Sequence, residues 1–173
     1  MKVIFLDIDG VVNTWDSQAN SDDNNRDHPS FPPKELLYDV LDPPSVDAVN
    51  QITDATEAKI VVSSTWRVLF EFRILKAFLK RQGIKAEVVG KTPDLVRWSR
   101  GAAASEGGIL LAKQRGDEIQ AWLDEHTEVE KFIILDDDAD MAHLIDRLVQ
   151  PRPSMETGLE QHHVDKAIEM LED

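Results

Sequence analysis

Short apolar runs alternate with amphipathic segments along the chain, and this alternation predicts its main structural elements. Residues 3–6 form an apolar, β-branched run of the length typical of a buried parallel strand. Similar runs at 59–63, 85–89 and 132–135 predict further strands, and a shorter run at 148–150 predicts an edge strand. Apolar residues at helical spacing predict the connecting helices, at 45–52 with Ser45 as N-cap, 68–82 ending at Gly83, 118–126, 141–148 and 160–171. This alternation indicates an α/β fold built on a parallel sheet.

Two segments lack this periodicity and interrupt the predicted elements. Residues 13–45 are polar and rich in proline, which indicates a flap or small insertion within a single domain spanning residues 1–173. Residues 90–116 are punctuated by glycines. This second segment is compatible either with a loop beside a substrate or with a flexible connection, and the sequence leaves both interpretations open.

Length and composition restrict the class of protein. A chain of 173 residues can bury a substantial core without disulfides, and this one has no cysteine. No apolar run approaches the roughly 20 residues needed to span a bilayer, and the first residues do not resemble a signal peptide. We therefore expect a cytoplasmic protein with no membrane partner, and the oligomeric state stays unknown.

The charge is strongly negative overall but unevenly distributed. The formal net charge is −14, whereas residues 67–115 carry 11 Lys or Arg and 4 Asp or Glu, a local net charge of +7. A solvated helix face accounts for Arg73, Lys76, Lys80 and Arg81 without any ligand. The alternative is a basic flank beside the functional site that attracts phosphate-rich substrates.

Pairs of carboxylates follow two of the predicted strands. Asp7 and Asp9 follow the first strand, and Asp136 and Asp137 follow the strand at 132–135. Such residues can be solvated turn residues, but ligands of parallel sheets bind just beyond the carboxyl ends of the strands. Two acidic pairs at neighbouring strand ends would repel each other unless a cation lay between them. The sequence therefore predicts a Mg²⁺ site.

Four segments, taken in order, carry a resemblance to a known superfamily. They are residues 7–11, the strand with its hydroxyl residues at 59–65, a basic residue within 113–115, and the acidic pair at 136–137. Together they resemble the signatures of the haloacid dehalogenase (HAD) superfamily of phosphatases, which use an aspartate nucleophile. The resemblance implies a Rossmann-like parallel sheet flanked by helices on both faces, with the segment at 13–45 as a short flap in place of a full cap.

Softer matches point to one part of that superfamily. Ser-Ser-Thr-Trp-Arg at 63–67, the segment 115–119 and the segment 158–168 are similar to the small HAD domains of RNA repair proteins. Those domains are themselves similar to the 3'-phosphatase domain of polynucleotide kinase-phosphatases. The narrower resemblance implies a substrate that carries a phosphate at a nucleic acid end.

The superfamily resemblance implies roles for the acidic residues. Asp7 would attack phosphorus and form an aspartyl-phosphate, while Asp9 would protonate the leaving oxygen and later deprotonate the hydrolytic water. Mg²⁺ would be held by Asp7, by the backbone carbonyl of Asp9 and by Asp136. Asp137 would hold a water bound to the metal.

The other two signatures imply the groups that contact the phosphate. A hydroxyl at the end of the second strand would donate to a phosphate oxygen, and a cation before the helix at 118–126 would neutralise another. A shift of one residue at the strand end exchanges Ser63 for Ser64, and Lys113 competes with Arg115. The expected catalytic residues here are Ser63 and Arg115, and the expected substrate-binding residues are Ser64, Thr65, Arg67 and Lys113.

These observations lead to an expected activity with two alternatives. We expect a Mg²⁺-dependent hydrolase that removes a terminal 3'-phosphate from RNA or DNA, with Trp66 or Trp98 available to stack a terminal base, unless Trp66 belongs to the core. A mononucleotide or another small phosphate ester is the alternative substrate. The non-enzymatic alternative is a phospho-receiver or a phosphate-binding regulatory domain. In a phospho-receiver the acidic pair would be adjacent in sequence, and a binding domain would be expected to lack one of the carboxylates.

Overall fold

The structure is a computed structural model that describes four ranges of the chain, which are residues 1–14, 41–95, 114–152 and 157–173. Most of the predicted flap at 13–45 and of the irregular segment at 90–116 falls outside these ranges. Lys113 and Trp98 lie outside them as well. The expectations for those residues stay predictions.

The described residues form one five-stranded sheet in which every pairing is parallel. The strands are β1 (Lys2–Leu6), β2 (Lys59–Val62), β3 (Val88–Lys91), β4 (Lys131–Leu135) and β5 (Leu148–Val149). Their spatial order is β3-β2-β1-β4-β5, so the chain changes direction across the sheet beside β1. Open parallel sheets bind ligands at such a switch point, beyond the carboxyl ends of the strands.

Five α-helices and one 3-10 helix accompany the strands in the described ranges. They are α1 (Pro43–Thr56), α2 (Trp66–Leu69), α3 (Phe72–Arg81), α4 (Arg115–Glu125), the 3-10 helix Ala142–Arg147, and α5 (Gln161–Glu172). None of the helices in this part of the chain has the length and apolar content needed to cross a membrane.

Alternate residues of the strands face opposite sides of the sheet and form two separate cores. Ile4 and Leu6 face one side, where they belong to a cluster with apolar residues of α1, α3 and α5. Val3 and Phe5 face the other side, where they belong to a cluster with residues of α4 and the 3-10 helix. Because both faces are covered, the strands are apolar throughout. The predicted α/β fold with helices on both faces of a parallel sheet is confirmed.

The start of α1 differs from the prediction. Asp42, not Ser45, is the N-cap, and its carboxylate accepts a hydrogen bond from the Ser45 backbone N–H at 3.0 Å. Pro43 begins the helix because its fixed φ and missing N–H suit the first turn. The Ser45 hydroxyl donates to Asp42 and accepts from the Leu159 N–H at 3.1 Å, which ties α1 to the chain that enters α5.

The predicted helix at 68–82 is wrong as a single helix. Phe70 and Glu71 have extended backbones and separate α2 from α3. The Lys91 ammonium donates to the carbonyls of Arg67 and Phe70, at 2.7 and 3.3 Å. In a continuous helix these two carbonyls would accept from backbone N–H groups of the next turn. Apolar spacing did not reveal the break, since it depends on a lysine from β3.

Two further elements begin at other residues than predicted, and one helix is of another type. β3 begins at Val88 and not at residue 85, and α4 begins at Arg115 and not at residue 118. Gln114 and Asp117 form a reciprocal capping box at the start of α4, which stabilises the additional turn. The α-helix predicted at 141–148 is a 3-10 helix, and Ala142 at its start has a φ of 50°.

Candidate active site

Three functional side chains come together because the strands that carry them are in register. Leu6, the last residue of β1, pairs with the last residue of β2 on one side and with the last residue of β4 on the other. The residues that follow, Asp7, Ser63 and Asp136, therefore lie side by side at the switch point. Two backbone hydrogen bonds of 2.9 Å, from Asp7 N–H to the Leu135 carbonyl and from Ser63 N–H to the Leu6 carbonyl, extend the ladder to them.

The Arg115 guanidinium lies among these three residues. Its Nη1 lies 3.5 Å from Asp7 Oδ1, and its Nε lies 3.6 Å from Asp136 Oδ2. Nη1 also donates to the Ser63 carbonyl. Arg115 begins α4, and the Asp140 carboxylate accepts a hydrogen bond from its backbone N–H at 3.2 Å. The structure thus brings Arg115 to the position that was expected for a phosphate-neutralising cation.

Two glycines permit close approaches around the site. Gly10 has a φ of 76°, and a Cβ there would overlap the Asp137 carboxylate. A Cβ at Gly116 would overlap the Met141 carbonyl. Without side chains at these two positions, the loop after β4 can lie against both the first strand end and the start of α4, which keeps Arg115 beside the acidic residues.

Burial makes the carboxylates of this site unusually basic. It raises the pKa of Asp7 to about 6, although Arg115 and a hydrogen bond from the Ser64 hydroxyl act in the opposite direction. Burial and the charge of Asp7 together raise the pKa of Asp136 to about 7. Burial also raises the pKa of Asp137. The fold therefore disfavours the negative charge of this group, and a bound cation would relieve that cost.

The residues that would hold a metal ion are Asp7, Asp136 and Asp137. One carboxylate oxygen of each lies within 4.8 Å of the others. The Asp136 Oδ2 atom is buried and has no hydrogen-bond partner among the described residues. Three close carboxylates, one of which has a buried oxygen without a hydrogen bond, fit Mg²⁺. This ion is usually bound through one or two carboxylates and keeps several waters. The Asp9 carboxylate does not belong to this group, and only its backbone carbonyl was expected to contact the metal.

Asp9 is held by two neighbours that sequence reasoning missed. Its Oδ1 accepts from the Asn13 side-chain amide at 2.7 Å, and its Oδ2 accepts from the Trp66 indole N–H at 2.8 Å. Trp66 is only 5% exposed and packs on Phe70 and Phe78. The expectation that Trp66 could stack a terminal base is therefore wrong, because the ring is buried in the core.

The hydroxyl residues after β2 differ in their surroundings. The Ser64 hydroxyl donates to the Asp7 carboxylate, whereas the Ser63 hydroxyl is buried and lacks a partner among the described residues. Thr65 is exposed. The two serines therefore both reach the site, with Ser64 engaged with Asp7 and Ser63 left with an unused donor.

Arg67 is engaged in a buried ion pair with Glu118, a residue that the motif analysis did not single out. Its Nη1 donates to the carbonyls of Ser63 and Ser64, at 3.1 and 2.9 Å, and its Nη2 pairs with the Glu118 carboxylate. Both side chains are 6% exposed. The other Glu118 oxygen accepts from the Leu95 N–H at 3.1 Å. The Arg67 Nε is buried and has no hydrogen-bond partner among the described residues, so the expected substrate contact by Arg67 stays a prediction. A buried glutamate in the first turn of α4 has no sequence signal beyond its position.

Unsatisfied polar atoms concentrate at this edge of the sheet. Among the described residues, five buried side-chain atoms lack a hydrogen-bond partner, on Ser63, Arg67, Thr92, Asp136 and Asp140. All five residues follow the carboxyl ends of β2, β3 and β4. Buried polar groups are almost always satisfied, so such a cluster indicates a site built for a polar ligand.

A cleft of about 240 Å³ opens beside this cluster. A second cleft, of about 210 Å³, lies at the amino ends of β2 and β3. It is lined by Lys59 and Lys85, whose ammonium groups pair with Glu87 and Asp54 respectively. The first cleft is linked to the acidic group through Arg115, which lines it and contacts Asp7 and Asp136. Its lining includes Thr65, Val68, Asp94, Arg115 and Asp140.

The raised pKa values lead to a prediction about metal binding and pH. Because the folded pKa values of Asp7 and Asp136 lie above those of the unfolded chain, their contribution to stability is present below about pH 4 and is lost as the pH rises to 6 or 7. Mg²⁺ competes with these protons. We expect the rise in melting temperature on adding Mg²⁺ over chelator to be larger at pH 7.5 than at pH 5.

Thermal unfolding at both pH values measures this difference directly. A free ion at 100 times its dissociation constant stabilises by about 2.7 kcal/mol. The Asp136→Asn variant is the control, since it keeps the size of the side chain and removes one donor. An effect of Mg²⁺ that is the same at both pH values, or that survives in Asp136→Asn, would contradict this site.

The family model described as the HAD domain in Swiss Army Knife RNA repair proteins matches residues 3–164. No curated protein and no solved structure matched the chain.

Proposed function

Because the chain belongs to the family of HAD domains in Swiss Army Knife RNA repair proteins, we propose that it is a Mg²⁺-dependent phosphatase acting through an aspartyl-phosphate. The observation that carries the proposal is the cluster of unsatisfied buried groups around Asp7. A tetrahedral phosphate with several acceptor oxygens would satisfy the donors in that cluster, and a cation would bind the Asp136 Oδ2 atom, which accepts no hydrogen bond from the described residues and has only the Arg115 guanidinium at 3.6 Å.

The first half-reaction would use Asp7 and Asp9. An Asp7 carboxylate oxygen attacks phosphorus, the bond from phosphorus to the leaving oxygen breaks, and Asp9 gives its proton to that oxygen. In the second half-reaction Asp9 takes a proton from water, the water oxygen attacks phosphorus, and Asp7 is released as a carboxylate. The products are an alcohol and inorganic phosphate.

The surrounding residues would neutralise and orient the phosphate. Arg115, 3.5 Å from Asp7, supplies a fixed positive charge next to the attacking oxygen. Ser63 supplies the unused hydroxyl donor, and Ser64 orients the nucleophile through its hydrogen bond. A Mg²⁺ ion held by Asp7, Asp136 and Asp137 would reduce the repulsion between the nucleophile and the phosphate oxygens.

For the substrate we propose a terminal 3'-phosphate on RNA or DNA. The family description refers to RNA repair proteins, which supports a nucleic acid end. The outer face of α3 carries Arg73, Lys76 and Lys80, all exposed, in a chain with a net charge of −14. The hydrogen bond from Lys59 and the nearby charge of Lys76 lower the pKa of Glu87, just before β3, so this basic face is suited to contact backbone phosphates of a bound strand that extends beyond the site.

A comparison of two substrates tests this proposal. A 3'-phosphorylated oligonucleotide should have a higher kcat/KM than the matching 3'-mononucleotide, and the difference should shrink as salt rises. In the double variant Lys76→Glu/Lys80→Glu we expect the oligonucleotide to lose its advantage while mononucleotide hydrolysis is unchanged. The slope of log kcat/KM against log salt should fall by roughly 1 for each phosphate contact removed.

The matched control places the same change in charge elsewhere. Arg147 and Arg152 are exposed and flank β5, at the far edge of the sheet from β3. The double variant Arg147→Glu/Arg152→Glu should therefore retain the preference for the oligonucleotide. Faster hydrolysis of the mononucleotide without salt dependence would show that the substrate is a small phosphate ester and not a nucleic acid end. The absence of turnover with either substrate would favour a phosphate-binding domain.

A further inference from the structure

Both carboxylate oxygens of Asp9 are already engaged by side chains from different parts of the chain. Asn13 donates to Oδ1 at 2.7 Å and Trp66 donates to Oδ2 at 2.8 Å. Asn13 lies four residues further along the chain, whereas Trp66 lies 57 residues away, at the start of α2. Neither interaction follows from the Asp-x-Asp signature itself.

Each of the two donors is fixed by its own surroundings. The Trp66 ring is 5% exposed, and its centroid lies 5.9 Å from that of Phe70 and 5.5 Å from that of Phe78. Asn13 is 9% exposed, its carbonyl accepts from the Gly10 N–H at 2.8 Å, and its N–H donates to the Ile8 carbonyl at 2.8 Å. Two immobile donors hold a planar carboxylate in one orientation.

We propose that Trp66 and Asn13 are positioning residues that aim the Asp9 carboxylate at the leaving group. This inference rests on the proposed function, in which Asp9 transfers the proton. An indole N–H and an amide NH₂ only donate, so neither group can take the proton from Asp9. The Asp9 lone pairs that Asn13 and Trp66 do not use are those left for the leaving oxygen and the hydrolytic water. Loss of either donor would let the carboxylate rotate away from them.

The choice of leaving group separates positioning from packing. Expulsion of an alkoxide requires proton transfer, whereas 4-nitrophenolate leaves without one, so a misplaced acid lowers kcat/KM, which reports the first half-reaction, only for the alkyl ester. Trp66→Phe keeps an aromatic ring in the core and removes the N–H. We expect it to lower kcat/KM by at least about tenfold for a ribonucleoside 3'-phosphate and by less than about twofold for 4-nitrophenyl phosphate.

Two companion variants keep the test decisive. Asn13→Ala removes the other donor without changing the aromatic cluster, so it should show the same asymmetry even if Trp66→Phe folds poorly. Phe132→Leu makes a comparable change in the other core, where Phe132 packs on Phe5, and leaves Trp66 and Asn13 untouched, so it should slow both substrates equally or neither. Equal losses on both substrates in Trp66→Phe and Asn13→Ala would show that these residues only pack, and would overturn the proposal.

Asp9→Asn is measured beside them as a reference. A much larger loss on the alkyl ester than on the aryl ester supports the role of Asp9 on which the inference depends. Equal losses in Asp9→Asn would refute that role and the inference with it. A clear asymmetry in Asp9→Asn that is missing in the Trp66 and Asn13 variants would overturn the inference alone and leave the proposed function standing.

Discussion

Asp7→Asn is expected to fold normally and to lose phosphatase turnover by at least about 10⁴-fold, as removal of a catalytic nucleophile does in other enzymes. An amide oxygen is a far weaker nucleophile than a carboxylate, while the two side chains have nearly the same size. Burial raises the pKa of Asp7 to about 6, so the fold opposes its charge. A neutral amide should therefore leave the melting temperature of the metal-free protein unchanged or slightly higher.

Asp138→Asn provides the matched control. Asp138 lies in the same acidic stretch as the expected metal ligands, but it is exposed and does not belong to the group of three close carboxylates. Its side chain only accepts from the adjacent Ala139 N–H. We expect this variant to keep its turnover within about twofold of the starting protein. Phosphate release at saturating substrate measures both, and near-normal turnover in Asp7→Asn would remove Asp7 from its proposed role.

Glu118→Ala is expected to produce the largest loss of stability, about 3–5 kcal/mol in the free energy of unfolding. Burial lowers the pKa of Arg67 and raises that of Glu118, so each charge is costly by itself and depends on the other. Removal of the glutamate leaves the Arg67 guanidinium buried without its partner and the Leu95 N–H without its acceptor. Urea unfolding monitored by tryptophan fluorescence measures the change.

The double variant Arg67→Met/Glu118→Met distinguishes stability from positioning. Well-packed apolar residues can replace a buried ion pair at little cost, so we expect most of the lost stability to return. Turnover should still fall, because the carbonyls of Ser63 and Ser64 lose the donor that holds this loop. A Glu118→Ala variant as stable as the starting protein would show that the ion pair does not contribute to the free energy of unfolding. A fully active double variant would show that the loop does not need it.

Sequence pattern alone was sufficient for the sheet and for the acidic residues at its edge. Runs such as 3–6 and 132–135 are buried on both faces in a parallel sheet, so their apolar character does not depend on which helices cover them. Asp7 and Asp136 directly follow those runs. Their meeting was therefore predictable, since the carboxyl ends of parallel strands share one edge.

Side-chain partners were less accessible to sequence reasoning. Arg67 was assigned to a substrate contact, and Trp66 was considered either for base stacking or for the core. In the fold, Trp66 donates to Asp9 across 57 residues and Arg67 pairs with Glu118 across 51. A short-range motif shows only the type of each side chain, and its direction depends on the strand end and the helix that follows it.

The sequence by itself determined the fold class and which carboxylates follow the strands β1 and β4, because these follow from local apolar runs and residue type. The tertiary structure alone decided that Arg115 reaches both Asp7 and Asp136. It also decided that Ser64 bonds to Asp7, while the Ser63 hydroxyl finds no partner among the residues the structure describes. Those outcomes depend on strand register and on the close approach at Gly116, which are set by the packing of distant segments.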